Sequence, residues 1–106
     1  MAKEKGNVVS VKVVRTEQGG PSGKLADAEL IFEVGAGPLS GLKLIGFAVW
    51  ERRDGGRNVT FPARQYSVNG ERRSFMLLRP MNGDSGSQDG VRDLILDAYD
   101  RLELQS

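Results

Sequence analysis

The sequence predicts an α+β fold: a five-stranded, mainly antiparallel sheet with one C-terminal helix packed on a face. Three observations lead there. Up to Pro80, apolar and polar residues alternate with the period of half-buried strands. Clusters of glycine, proline, asparagine and aspartate punctuate that alternation as turns. Beyond Pro80 the apolar spacing becomes that of a helix. Strands that follow one another through short connections, with a helix at the end, favour an antiparallel sheet over βαβ crossovers. At 106 residues the chain is expected to form one domain, 1–106, around one core.

The elements follow in order. Val9, Val11 and Val13 alternate with Ser10, Lys12 and Val14 as a first strand, and GGPSG (19–23) is a turn. Ala26, Ala28, Leu30, Phe32 and Val34 form the apolar side of a second strand, whose other side is mainly acidic, and GAGPLSG (35–41) is the next loop. From Leu42 to Trp50 almost every residue is apolar, which marks a third, central strand buried on both faces. Asp54-Gly55-Gly56 turns the chain into a fourth strand, Arg57 to Pro62. Pro62 has no N–H for a ladder and therefore ends it or marks an edge. Asn69-Gly70 is the strongest hairpin signal, leading into a fifth strand in which Arg73, Phe75 and Leu77 alternate with Ser74, Met76 and Leu78. Residues 84–90 are read as a flexible loop. Val91, Leu94, Ile95, Ala98 and Leu102 then recur at helical spacing, with Ser85, Ser87 or Asp89 as the cap and Asp97–Arg101 as an i,i+4 pair.

One helix covers only one face of such a sheet. Leu42, Leu44 and Trp50 are expected to lie opposite Ile45, Phe47 and Val49, and a second apolar face left in water exceeds what monomers tolerate. A homodimer with Leu42, Leu44 and Trp50 at its interface is the expectation, the alternative being cover by loops or the N-terminus.

Charge narrows function. The chain has no histidine and no cysteine, so thiolate sites, disulfides and the commonest general base are absent. No catalytic residue, metal ligand, cofactor or small-molecule substrate is expected, and no apolar run approaches a membrane span. MAKEKG precedes no apolar segment, so a cytoplasmic protein, bacterial by the plainest guess, is expected. The net charge of +1 is unevenly spread. Between Trp50 and Pro80 stand Arg52, Arg53, Arg57, Arg64, Arg72, Arg73 and Arg79 against Glu51, Asp54 and Glu71, whereas the stretch from Pro80 onward is acidic. Guanidinium is the group best suited to bidentate phosphate contacts, so binding of DNA or RNA is the first functional reading. The same arginines also fit a solvated surface that protects edge strands, or a surface for a protein partner. Because strand neighbours point to opposite faces, not all seven can meet one ligand. Tyr66, Phe61 and Trp50 are candidates to stack single-stranded bases or to fill the core.

Other motifs carry less. GGPSGKL lacks the first glycine and the final hydroxyl residue of a phosphate loop, and GAGPLSG lacks the third glycine of a dinucleotide loop. Asp93, Asp97 and Asp100 read as a solvated helix face.

From Leu42 to Leu102 the chain resembles the stage V sporulation protein G (SpoVG) septation-regulator family. The resemblance lies in LKLIGFAVW, the DGG turn, NVTFP followed by Arg64, Asn69-Gly70-Glu71, Arg79-Pro80-Met81 and VRDLILDAYDRL, with Tyr99-Asp100-Arg101-Leu102 late in the helix. Ala63 and Arg79 replace the family's usual serine and histidine. The resemblance implies a dimeric, non-enzymatic regulator that binds nucleic acid. It implies phosphate contacts at Arg64 and, on the helix, Arg92. An alternative is a non-catalytic protein-interaction module that uses the sheet and the acidic helix.

Overall fold

The computed structural model describes residues 8–16, 22–84 and 86–105. Strands β1 (Val9–Arg15), β2 (Lys24–Phe32), β3 (Lys43–Glu51) and β4 (Arg57–Thr60) form an antiparallel sheet in that order. Among the described residues, strands β5 (Ala63–Val68) and β6 (Glu71–Met76) pair only with each other, as a separate hairpin. Helix α1 (Gly86–Leu104) follows. The α+β class and the C-terminal helix agree with expectation, but the single five-stranded sheet does not. The chain leaves the sheet at Phe61-Pro62, and β5, not anticipated as a strand, supplies the partner that β6 would otherwise have sought in the main sheet.

Alternation explains the core. Val9, Val11 and Val13 stand opposite Phe32, Leu30 and Ala28, and Ala26 stands opposite Val49, so one face of the sheet is apolar from edge to edge. The helix lays Ile95 and Tyr99 on that face, where Phe47, Val49 and Ile95 are fully enclosed. Each such side chain contributes about 1.5–3 kcal/mol by leaving water. Phe61 closes the layer, its ring 5.2 Å from that of Phe47 and nearly edge-on.

The second face is not the apolar surface expected. A bulge in β3 shifts the register, so that Ala28 faces Phe47 but Leu30 faces Leu44, leaving Ile45 and Gly46 as one residue too many. Leu44 thereby turns onto the same face as Phe47 and packs on the core. Gly46 makes the bulge possible: its φ is +110°, and a Cβ there would lie 2.8 Å from the Cβ of Pro62. Leu42 precedes β3 and is 55% exposed, Ile45 is 59% exposed, and Trp50 lies on the outer face with its indole N–H bonded to Thr60 Oγ1 at 2.8 Å. The three residues expected at a dimer interface therefore share no face. Ion pairs lie across the outer face, Lys43–Glu29 at 3.2 Å and Lys24–Asp27 at 2.6 Å, among scattered apolar residues such as Val14, Ile31 and Ala48.

The segment 84–90 is also corrected: the helix begins at Gly86. Asp84 caps it, its Oδ1 accepting from the Gly86 N–H at 3.0 Å and its carbonyl from the Ser87 N–H at 3.1 Å. Ser87 and Asp89 lie inside the first turns, where Asp89 suits the helix dipole, and Ser85 falls outside the described residues. The turn at 19–23 is described only for Ser22 and Gly23.

Candidate nucleic-acid interface

The hairpin arm is built by its turn. Asn69 and Gly70 both take left-handed backbone, φ +52° and +81°, which is the geometry of a two-residue turn matched to strand twist. Register follows: Arg64 faces Phe75, Tyr66 faces Arg73 and Val68 faces Glu71 on one side of the arm, while Gln65 faces Ser74 and Ser67 faces Arg72 on the other. On the first side two arginines and two aromatic rings therefore alternate diagonally. The rings of Tyr66 and Phe75 lie 5.6 Å apart at 51°. All residues of β5 and β6 are exposed.

The arm is fastened at its base. The Leu77 N–H donates to the Pro62 carbonyl at 2.9 Å, which prolongs the ladder by one pair. Gln88 of α1, nearly buried, donates its amide to the Leu78 carbonyl at 3.2 Å and to Met76 Sδ at 3.4 Å. Residue-type reasoning passed over Gln88 because it lies in a polar stretch. Its spacing of three and seven residues from Val91 and Ile95 is the signal that would have placed it on the inner side of the helix.

The arginines divide into two groups. Arg52 is held by Asp54 at 3.1 Å, Arg57 by Asp100 at 2.6 Å, Arg73 by Glu71 at 2.9 Å and Arg92 by Asp89 at 2.6 Å. Arg57 also lies 4.9 Å from the Tyr99 ring centre and Arg92 5.4 Å from that of Phe61, so both double as cover for the core. Arg53, Arg64 and Arg79 have no side-chain partner among the described residues, and Arg72 bonds only to Gln65 Oε1, at 3.3 Å. Arg52 and Arg53 sit at the β3–β4 turn, Arg57 and Arg92 at the helix, and Arg64, Arg72 and Arg73 on the arm. The seven residues expected to contact nucleic acid thus occupy three places, and the arm is the one that joins cations with exposed rings.

Two groups titrate unusually. The Gly56 N–H and then the Arg52 guanidinium hold the Asp54 carboxyl below its usual 3.8. Burial first, and then the Glu103 carboxylate, push the Tyr99 hydroxyl above its usual 10.0.

By its architecture the molecule is an α+β domain with a projecting cationic and aromatic β-ribbon. No family model, no curated protein and no solved structure matches the chain. Among the described residues no helix is long and apolar enough to cross a membrane.

Proposed function

We propose that this chain is a non-catalytic, cytoplasmic nucleic-acid-binding protein of SpoVG-like kind, that it acts as a homodimer, and that the β5–β6 arm is the element that meets single-stranded DNA or RNA. The observation that carries the reading is the exposed diagonal pattern of Arg64 and Arg73 with Tyr66 and Phe75. Bases stack on exposed rings for about 1–3 kcal/mol each, whatever their sequence. Guanidinium groups beside the rings meet the phosphates that flank stacked bases. Arg72 adds a cation on the reverse side of the arm, while Arg53 stands at the β3–β4 turn, at the other end of β4 from the arm's base. Arg52, Arg57 and Arg92 contribute less, because binding a phosphate would first mean leaving Asp54, Asp100 and Asp89; Arg73 would likewise have to leave Glu71, but it does so beside the two exposed rings.

Fluorescence anisotropy with a labelled single-stranded oligonucleotide and with a duplex, at low and at moderate salt, tests this. The single strand binds more tightly, and Arg64→Ala with Arg73→Ala weakens it at least about tenfold and lowers the log-log salt slope by about 1.4, at roughly 0.7 per phosphate contact. No binding at low salt, or binding indifferent to the double substitution, overturns the reading.

A second reading, a protein-interaction module, is favoured by one observation: Tyr66, Val68, Phe75, Met76 and Leu77 leave apolar surface on the arm in water. A protein that co-purifies after nuclease treatment and is lost with Tyr66→Ala and Phe75→Ala would support it instead.

A further inference from the structure

The main sheet has β1 and β4 at its edges. Among the described residues, β1 pairs with β2 on one side and has no strand on the other. Val8 accepts from the Glu33 N–H at 2.7 Å and Thr16 donates to the Leu25 carbonyl at 3.0 Å, so the even-numbered residues of this strand bond inward to β2. By antiparallel alternation, the N–H and C=O groups of Val9, Val11 and Val13 point out to the open edge. Beside that edge, two adjoining hollows of about 440 and 210 Å³ share Val11, Ala98 and Arg101 and form one groove between β1 and α1.

We propose that this edge binds the same edge of a second copy, the two β1 strands pairing antiparallel about a two-fold axis at Val11 and joining two four-stranded sheets into one. The sequence of the strand is self-complementary about that point. On the groove side, Val9 meets Val13 and Val11 meets Val11. On the outer side, Val8 meets Val14, burying two valines that are 42% and 48% exposed in the single chain. Lys12, which has no ion pair among the described residues, comes opposite Ser10. Ser10 Oγ is bonded at 2.5 Å to Glu33 Oε2, so each Lys12 is delivered to the other copy's Glu33. Moving the axis to Lys12 would set two ammonium groups face to face, which disfavours that register.

The helices fit the same axis. α1 runs along β1: Val9 and Leu94 line the first hollow, Val13 and Leu102 the second, and Val11 and the small Ala98 line both. A two-fold at Val11 reverses the helices, leaves room for their approach at Ala98, and brings Asp97 of one towards Arg101 of the other. Neither side chain has a partner among the described residues; the i,i+4 pair expected between them is not among the ion pairs formed. An edge that is polar only where its mirror image supplies the opposite charge is suited to itself rather than to a general partner. This locates the dimer of the proposed function at β1, and it stands whether or not the arm binds nucleic acid.

Sedimentation velocity of the full chain over a wide concentration range tests it. The wild-type protein shows a monomer–dimer equilibrium. Val11→Pro removes an outward N–H without touching the β1–β2 ladder and shifts the protein to monomer with far-ultraviolet circular dichroism unchanged. Lys12→Glu raises the dimer Kd at least about tenfold, and adding Glu33→Lys restores it. If Val11→Pro disturbs folding, the Lys12→Glu and Glu33→Lys pair decides alone. A wild-type protein that stays monomeric throughout, or a dimer indifferent to the charge substitutions, overturns the proposal. Loss of oligonucleotide binding by the arm variants leaves this result untouched, so the two readings fail separately.

Discussion

Phe47 in the sheet and Phe75 in the arm both sit on antiparallel strands, Phe47 across from Ala28 and Phe75 across from Arg64 with the Tyr66 ring on the diagonal, yet Phe47 is 1% exposed and Phe75 40%. The difference lies above the strand. β1 to β4 carry a helix on one face, and that third element encloses Phe47, whereas among the described residues no layer covers β5 and β6, which α1 meets only at their base through Gln88. Alternation decides which side of a strand is apolar, but only a second layer turns apolar into buried. A two-stranded ribbon alone is marginal in water, so the arm depends on its fastening at the base.

The contrast is tested most strongly by truncating the two rings. Phe47→Ala is expected to cost about 3–5 kcal/mol in urea unfolding, the usual range for a core phenylalanine, and Phe75→Ala less than about 1 kcal/mol. Equal losses would mean that the arm belongs to the core in solution. Gln88→Ala is expected to cost about 1–2 kcal/mol, since it leaves the Leu78 carbonyl without its donor at the point where arm and body join. Hydrogen exchange should show the amides of β5 and β6 opening faster in that variant while those of β2 and β3 keep their protection. Uniform acceleration would show instead that the two regions open together.

The smallest effect concerns the alkaline limb. Tyr99 has its folded pKa raised above 10.0, so the unfolded chain loses the phenolic proton first, and stability that is complete below pH 10 falls as pH rises towards the folded value. Tyr99→Phe removes the titration, and its stability relative to wild type should improve above pH 10 and be flat below it. An unchanged difference across that window would mean the hydroxyl is not desolvated by the helix–sheet contact.

Much of the body was legible residue by residue. The valines at 9, 11 and 13, the alternation of Ala26 to Leu30, the turn at Asn69-Gly70 and the helical spacing from Val91 to Leu102 each appear where pattern places them. The arm as a separate ribbon was not legible, because in Ala63 to Val68 only Tyr66 and Val68 alternate as apolar residues, too short a run to mark a strand without its turn to β6. The candidate site was half legible. Composition pointed to the arginines, but their pairing with Asp54, Asp100, Glu71 and Asp89 joins residues from two to 43 positions apart and depends on how the chain is folded.

Local sequence by itself determined the class of the molecule, the apolar side of most strands, the position of the tight turn and the polarity of the helix, since each follows from the chemistry of residues a few positions apart. Tertiary structure decided the rest. A bulge at Gly46 turned Leu44 inward, Pro62 sent the chain off the sheet, and the packing of α1 chose which arginines are neutralised and which stay open to solvent. These depend on contacts between segments distant in the chain, whose energies arise only when the layers meet.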